Sequence, residues 1–98
     1  MDLSECTDLR NMFSGCSKVT NFNFVKNWNI SKCELFMEMF RGCNFENLDF
    51  LSKWNVIKAE NISNMLMGCK KLNNIKGVKN WNVKNVKTFI GHFHLVKI

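Results

Sequence analysis

The sequence predicts an α/β solenoid, a stack of about three and a half rungs of 26–27 residues with a short parallel β-sheet on one face and helical or 3-10 turns opposite. Two marker sets carry that reading. The segments Met12-Phe-Ser-Gly-Cys16, Met39-Phe-Arg-Gly-Cys43 and Met65-Leu-Met-Gly-Cys69 lie 27 and 26 residues apart. Trp28, Trp54 and Trp81 repeat in step, 26 and 27 apart, each followed by Asn and then Ile or Val. A fixed period in two independent marker sets is the mark of a repeat architecture.

Intermediate positions keep the register. Two residues after each Trp stand Ile30, Val56 and Val83; five after stand Cys33, Ala59 and Val86. Eight after come Phe36, Ile62 and Phe89, and eleven after come Met39, Met65 and His92. All but His92 are apolar, at a spacing of three that suits tight helical or 3-10 turns. Phe22-Asn23-Phe24 and Leu48-Asp49-Phe50 alternate with period two, as a strand with one buried face would. Gly15, Gly42 and Gly68 suit a turn that needs positive φ. Gly77 stands where an apolar strand residue is expected.

The rungs run 12–38, 39–64 and 65–91, with partial rungs 1–11 and 92–98, so the chain begins and ends mid-repeat as a single domain. One strand-and-turn unit cannot bury its own apolar side, and stacking supplies the missing cover. Truncating a core Trp to Ala should then cost about 3–5 kcal/mol.

Bulk composition fits a folded domain: 98 residues, 46% hydrophobic and 22% charged, too few for two domains. Asn and Lys are abundant, but their codons are AT-rich and the excess receives little functional weight. The formal charge of +6 is uneven. Residues 1–60 hold seven basic and eight acidic side chains, and no acid follows Glu60. Lys70, Lys71, Lys79, Lys84 and Lys87 form the tentative basic patch of a C-terminal pole that would attract polyanions. No apolar run is long enough to span a membrane, no membrane insertion is expected, and the first residues do not read as a signal peptide. Localisation stays open between cell surface, cytoplasm and virion.

The five cysteines do not read as a metal or disulfide framework. Cys16, Cys43 and Cys69 share one repeat position; Cys6 and Cys33 share another with Ala59 and Val86. A position that takes Cys, Ala or Val is a small apolar core site, so free buried thiols are expected. His92 and His94 lack an evident third ligand. Asn29 and Asn61 head N-x-S sequons. No nucleophile elbow, phosphate loop or carboxylate pair stands out, and no catalytic residue, metal or cofactor is assigned.

The markers resemble the BspA-like branch of the leucine-rich repeats, the bacterial surface protein 26-residue repeat also found in mycoplasma-type surface lipoproteins. Its pattern runs W-x-h-S-x-V-x-x-M-x-x-M-F-x-G-C-x-x-L-x-x-L-x-L, followed by Trp28 to Cys43 and again by Trp54 to Cys69. The departures are Gly77, His92 and a residue missing between Cys43 and Leu48. The resemblance implies a leucine-rich-repeat-like fold, surface display, and adhesion or protein binding without catalysis.

The expected function is therefore a non-catalytic protein-interaction or surface-recognition module. Its binding face would be the outward strand positions Asn21, Asn23, Asn47, Asp49, Asn74 and Lys76, whose polar groups suit a protein or carbohydrate partner. One alternative is a structural component whose end rungs are covered by neighbouring repeats or an assembly such as a virus particle. Another is polyanion binding through the basic half.

Overall fold

The structure, a computed structural model, describes residues 2–88. His92, His94 and the partial rung 92–98 lie outside the described residues. The regular elements among the described residues are three short 3-10 helices: η1 (Asn23–Val25), η2 (Asp49–Leu51) and η3 (Lys76–Val78). The rest is a succession of tight turns.

This overturns the expected α/β solenoid with a parallel sheet. Among the described residues there is no α-helix and no extended strand. What pairs are four isolated parallel bridges, Asp8 with Leu35, Leu35 with Asn61, Asn61 with Thr88, and Asn47 with Asn74. The chain closes into a compact globule measuring 31 × 28 × 22 Å with a radius of gyration of 12.2 Å.

The reason lies where the strand was expected. Asn21, Asn47 and Asn74 each turn a side-chain oxygen onto the N–H two residues ahead, that of Asn23 at 2.8 Å, Asp49 at 3.0 Å and Lys76 at 2.8 Å. Such Asx turns bend the backbone and compete with a β-ladder. The chain then runs on in i→i+3 bonds: Val25 N–H to Phe22 O at 3.0 Å and Trp28 N–H to Val25 O at 3.0 Å. Leu48, Leu51 and Trp54 repeat this at 2.9 and 3.2 Å, and Ile75, Val78 and Trp81 at 3.2 and 3.1 Å. The operative apolar spacing here is three, which a 3-10 turn eclipses onto one side. Phe22 and Val25 are thus buried while Phe24, placed inward by the period-two reading, is 57% exposed.

The core lies on the middle of the sequence, in Phe36, Met39, Phe40, Cys43, Leu48 and Leu51, all fully buried. Aromatic rings bind the repeats together. Phe13 and Phe40, which are equivalent in the period, stack with centroids 5.6 Å apart and planes 18° apart. The positive-φ expectation at Gly15, Gly42 and Gly68 holds, with φ of 78°, 76° and 75°. Gly77 has another duty: a Cβ there would stand 2.2 Å from the Leu48 carbonyl oxygen, so η3 rests directly on the backbone of η2.

Candidate functional site

The six polar positions proposed from the sequence sit at the starts of η1, η2 and η3 rather than on a strand face. Five of them are exposed and Asn74 is half-buried. The structure brings four together. Asn21, Asn23, Asn47 and Asp49 line one open groove of about 500 Å³, with the carboxylate of Glu46 and the ammonium of Lys71 at its edge and Phe22, Phe45 and Phe50 beneath. Asn74 and Lys76 do not line it: they continue the same row into the next repeat, where Asn74 bridges to Asn47.

The amides are not equally free. Asn21 and Asn47 spend their oxygens on the Asx turns, which leaves their Nδ2 groups to donate. Asn44, at the groove's other wall, donates from Nδ2 to the Ser17 carbonyl of the preceding repeat. What remains for a ligand is a set of amide donors between two carboxylates. Sequence reasoning passed over Glu46 and Asn44. Their signal was available: both stand between Cys43 and Leu48, the stretch set aside for its missing residue.

The five lysines of the proposed basic patch do not converge. Lys71 borders the groove above. Lys84 and Lys87 line a second groove, of about 430 Å³, together with Lys58, Glu34 and Glu60. Lys70 and Lys79 line neither. Lys87 Nζ lies 3.5 Å from Glu60 Oε1, so part of the positive charge is met within the chain.

A model of the family described as Mycoplasma protein of unknown function, DUF285, matches residues 1–97. The chain belongs to this family. The match supports the mycoplasma-type part of the resemblance; it does not extend to the BspA-like leucine-rich branch. No curated protein and no solved structure matches the chain.

In this DUF285 chain the motif residues Trp54, Trp81, Cys43 and Cys69 each tie one repeat to the previous one. The indole of Trp54 donates to the Val25 carbonyl at 2.9 Å, and Trp81 does the same to Leu51 at 2.9 Å. The thiols of Cys43 and Cys69 donate to the carbonyls of Phe13 and Phe40, both at 3.2 Å. Burial pushes the Cys43 thiol up to about 12 and the Cys33 thiol up to about 11, and it raises Cys69 as well. These three are protonated donors at neutral pH, free and buried as expected, whereas Cys6 and Cys16 are free but only half-buried. Among the described residues, no three His, Cys, Asp or Glu side chains gather closely enough to hold a metal. No helix of the described residues is long and apolar enough to cross a membrane.

Proposed function

We propose that this DUF285 chain is a non-catalytic recognition module that binds an extended polypeptide in the groove between η1 and η2. The observation that carries the reading is the composition of that groove. Two successive repeats set amide donors from Asn21 and Asn47 and carboxylates from Glu46 and Asp49 over an apolar floor, in an open groove of about 500 Å³. That volume suits a short peptide or small ligand. Amide donors meet the carbonyls of an extended backbone, and the two carboxylates favour a basic side chain on the ligand.

The test is a titration of isotope-labelled protein with three short probes: a lysine- and arginine-rich peptide, its acidic counterpart and a neutral trisaccharide. Amide shifts confined to residues 20–24 and 44–50, seen with the basic peptide and lost in the Glu46→Lys/Asp49→Lys variant, are expected. Both substituted side chains are exposed, so the variant should melt with the parent. Shifts that map elsewhere, or a variant that binds equally well, would sink the reading.

A further inference from the structure

The two boundaries between the repeats 12–38, 39–64 and 65–91 share several rows of hydrogen bonds, and one row is present at the second boundary only. At the first boundary Phe13 N–H meets Met39 O at 2.9 Å, Gly15 meets Arg41 at 2.7 Å, and Glu60 meets Glu34 at 2.8 Å. At the second, Phe40 meets Met65 at 3.1 Å, Gly42 meets Met67 at 2.9 Å, and Lys87 meets Glu60 at 2.8 Å. The Trp54 and Trp81 indoles close both boundaries alike, each at 2.9 Å. The second boundary adds the Asn73 N–H on Glu46 O at 3.0 Å, beside the bridge between Asn47 and Asn74. Its counterpart at the first boundary would set Glu46 on Thr20, beside Asn21 and Asn47. Neither that bond nor that bridge is present.

One side chain accounts for the difference. Phe50 and Gly77 hold the same place in their repeats, each at the middle of its 3-10 helix. At Gly77 a Cβ would stand 2.2 Å from Leu48 O, so η3 lies on the backbone of η2 and the extra row closes. Phe50 sends a full ring in the corresponding direction. That ring is 7% exposed, stacks on Phe22 with centroids 5.6 Å apart and meets Phe45 at 5.1 Å. Phe22 is the counterpart of Leu48. The ring thus fills the space that η3's own backbone takes at the next boundary, and η2 stands off η1.

The opening leaves main-chain groups facing one another across it. In the register of Asn73 N–H and Glu46 O, the Glu46 N–H points to the first repeat and Thr20 O to the second. These two groups and the Asn47 N–H meet no main-chain partner among the described residues. All three residues line the groove of about 500 Å³ already described. Main-chain donors and acceptors left over at such a place bond readily to a passing extended chain.

We propose that Phe50 wedges this boundary open, and that the main chain of Thr20, Glu46 and Asn47 holds the main chain of the ligand, a basic segment of a partner protein that is unstructured before it binds. An extended segment brings its own N–H and C=O groups to the groove, whereas a helix or a paired strand spends them internally. The Glu46 and Asn47 N–H groups donate to ligand carbonyls, and Thr20 O accepts from a ligand N–H. The carboxylates of Glu46 and Asp49 then select for charge beside these contacts. This inference rests on the groove reading above and adds to it that recognition reaches the ligand's backbone.

Calorimetric titration with a peptide that carries one central Lys-Arg pair among neutral residues tests it. The peptide is compared with two forms of the same sequence, N-methylated at alternate residues in one phase or the other. Methylation removes N–H donors and keeps every charge, and alternate groups of an extended chain point to opposite sides. The form methylated where the chain faces Thr20 should bind about tenfold more weakly than its counterpart. By hydrogen exchange, the Glu46 and Asn47 amides should exchange faster than Asn73 without peptide and slow down when the unmodified peptide is added. Phe50→Gly copies the boundary at Gly77: it should protect the Asn47 amide without peptide and weaken binding by about tenfold. Should that variant not fold, the methylated pair and the exchange rates decide alone. Equal affinity of the two methylated forms, unchanged exchange at Glu46 and Asn47, or a folded Phe50→Gly that binds as the parent does overturns the inference and leaves charge-guided binding in the groove standing. No binding by any peptide removes both.

Discussion

Trp28, Trp54 and Trp81 allow one substitution, Trp to Phe, to be made at three equivalent positions that differ in burial and in the indole hydrogen bond. The Trp54 indole is 4% exposed and donates across the repeat boundary to Val25 O at 2.9 Å. Val25 O also accepts the Trp28 N–H at 3.0 Å, so losing the indole does not orphan it. The cost of the lost bond is then near the net value of a buried neutral hydrogen bond, about 1 kcal/mol. Removing the pyrrole portion from a fully packed site adds about 1–2 kcal/mol of lost burial and cavity. Trp54→Phe should therefore cost about 2–3 kcal/mol, a fall in Tm of about 10–20 °C for a chain of this size. Trp28→Phe removes a half-buried indole with no acceptor among the described residues and should cost about 1 kcal/mol or less. Trp81, half-buried but bonded to Leu51 O, should fall between. Guanidinium unfolding at micromolar protein, followed by far-ultraviolet circular dichroism and checked for constant m, measures all three. Equal losses at positions 28 and 54 would refute the reasoning that the recurring Trp is kept in place by its bond to the repeat before it.

Three further outcomes follow from local geometry. Gly77→Ala places a methyl carbon 2.2 Å from Leu48 O and 2.8 Å from Asp49 N, both backbone atoms, so η3 must lift off η2. A loss of about 3 kcal/mol or more in a denaturant titration is expected, and a variant as stable as the parent would contradict it. Glu38 holds φ at 56°, a left-handed conformation that its counterparts Asn11 and Asn64 occupy at lower cost. Glu38→Asn forfeits only an exposed pair with Arg41 and should raise stability by about 0.5–1 kcal/mol, read as a higher Tm. The raised thiol pKa values give a pH dependence of fixed sign. A buried thiol is favoured in its neutral form, so its contribution is complete below the unfolded value of 9.0 and is lost as pH rises toward about 12 for Cys43 and about 11 for Cys33. Thermal melts should be flat in this respect up to pH 8 and fall above 9, less steeply in Cys43→Ala; equal slopes would count against it.

How much of this was legible in the sequence differs from residue to residue. The period, the core register of Trp54, Met39 and Cys43, and the left-handed glycines were plain, because each depends on side-chain size or on a missing Cβ. The strand was misread because Phe22-Asn23-Phe24 offers only two apolar positions in alternation, too few to outweigh the period of three that Phe22, Val25 and Trp28 also satisfy. The deciding residues were the asparagines. Discounted as codon composition, they cap turns throughout: besides Asn21, Asn47 and Asn74, the side chains of Asn29, Asn55, Asn61 and Asn82 each accept the N–H two residues ahead. Of the six polar positions, Asn21, Asn23, Asn47 and Asp49 come together in one groove, while Asn74 and Lys76 were carried along by extrapolating a flat sheet. The charge pole could not be resolved from sequence, since which lysines meet Glu34 and Glu60 depends on the pairing of chain segments some 27 residues apart.

That pairing has a consequence for how the molecule folds. The bonds between repeats span 25 to 30 residues, so every pair of neighbours closes a loop of nearly the same length and at nearly the same entropic cost. No pair is privileged by its place in the chain. The starting point is then chosen by packing quality, which is highest between the second and third units, where Phe36, Met39, Phe40 and Met65 are sealed. Hydrogen exchange should be slowest at the amides of Phe36, Glu38, Phe40 and Gly42 and should quicken toward Asn11 and Phe13. Stability in this protein is a gradient along the chain, with its summit at the middle.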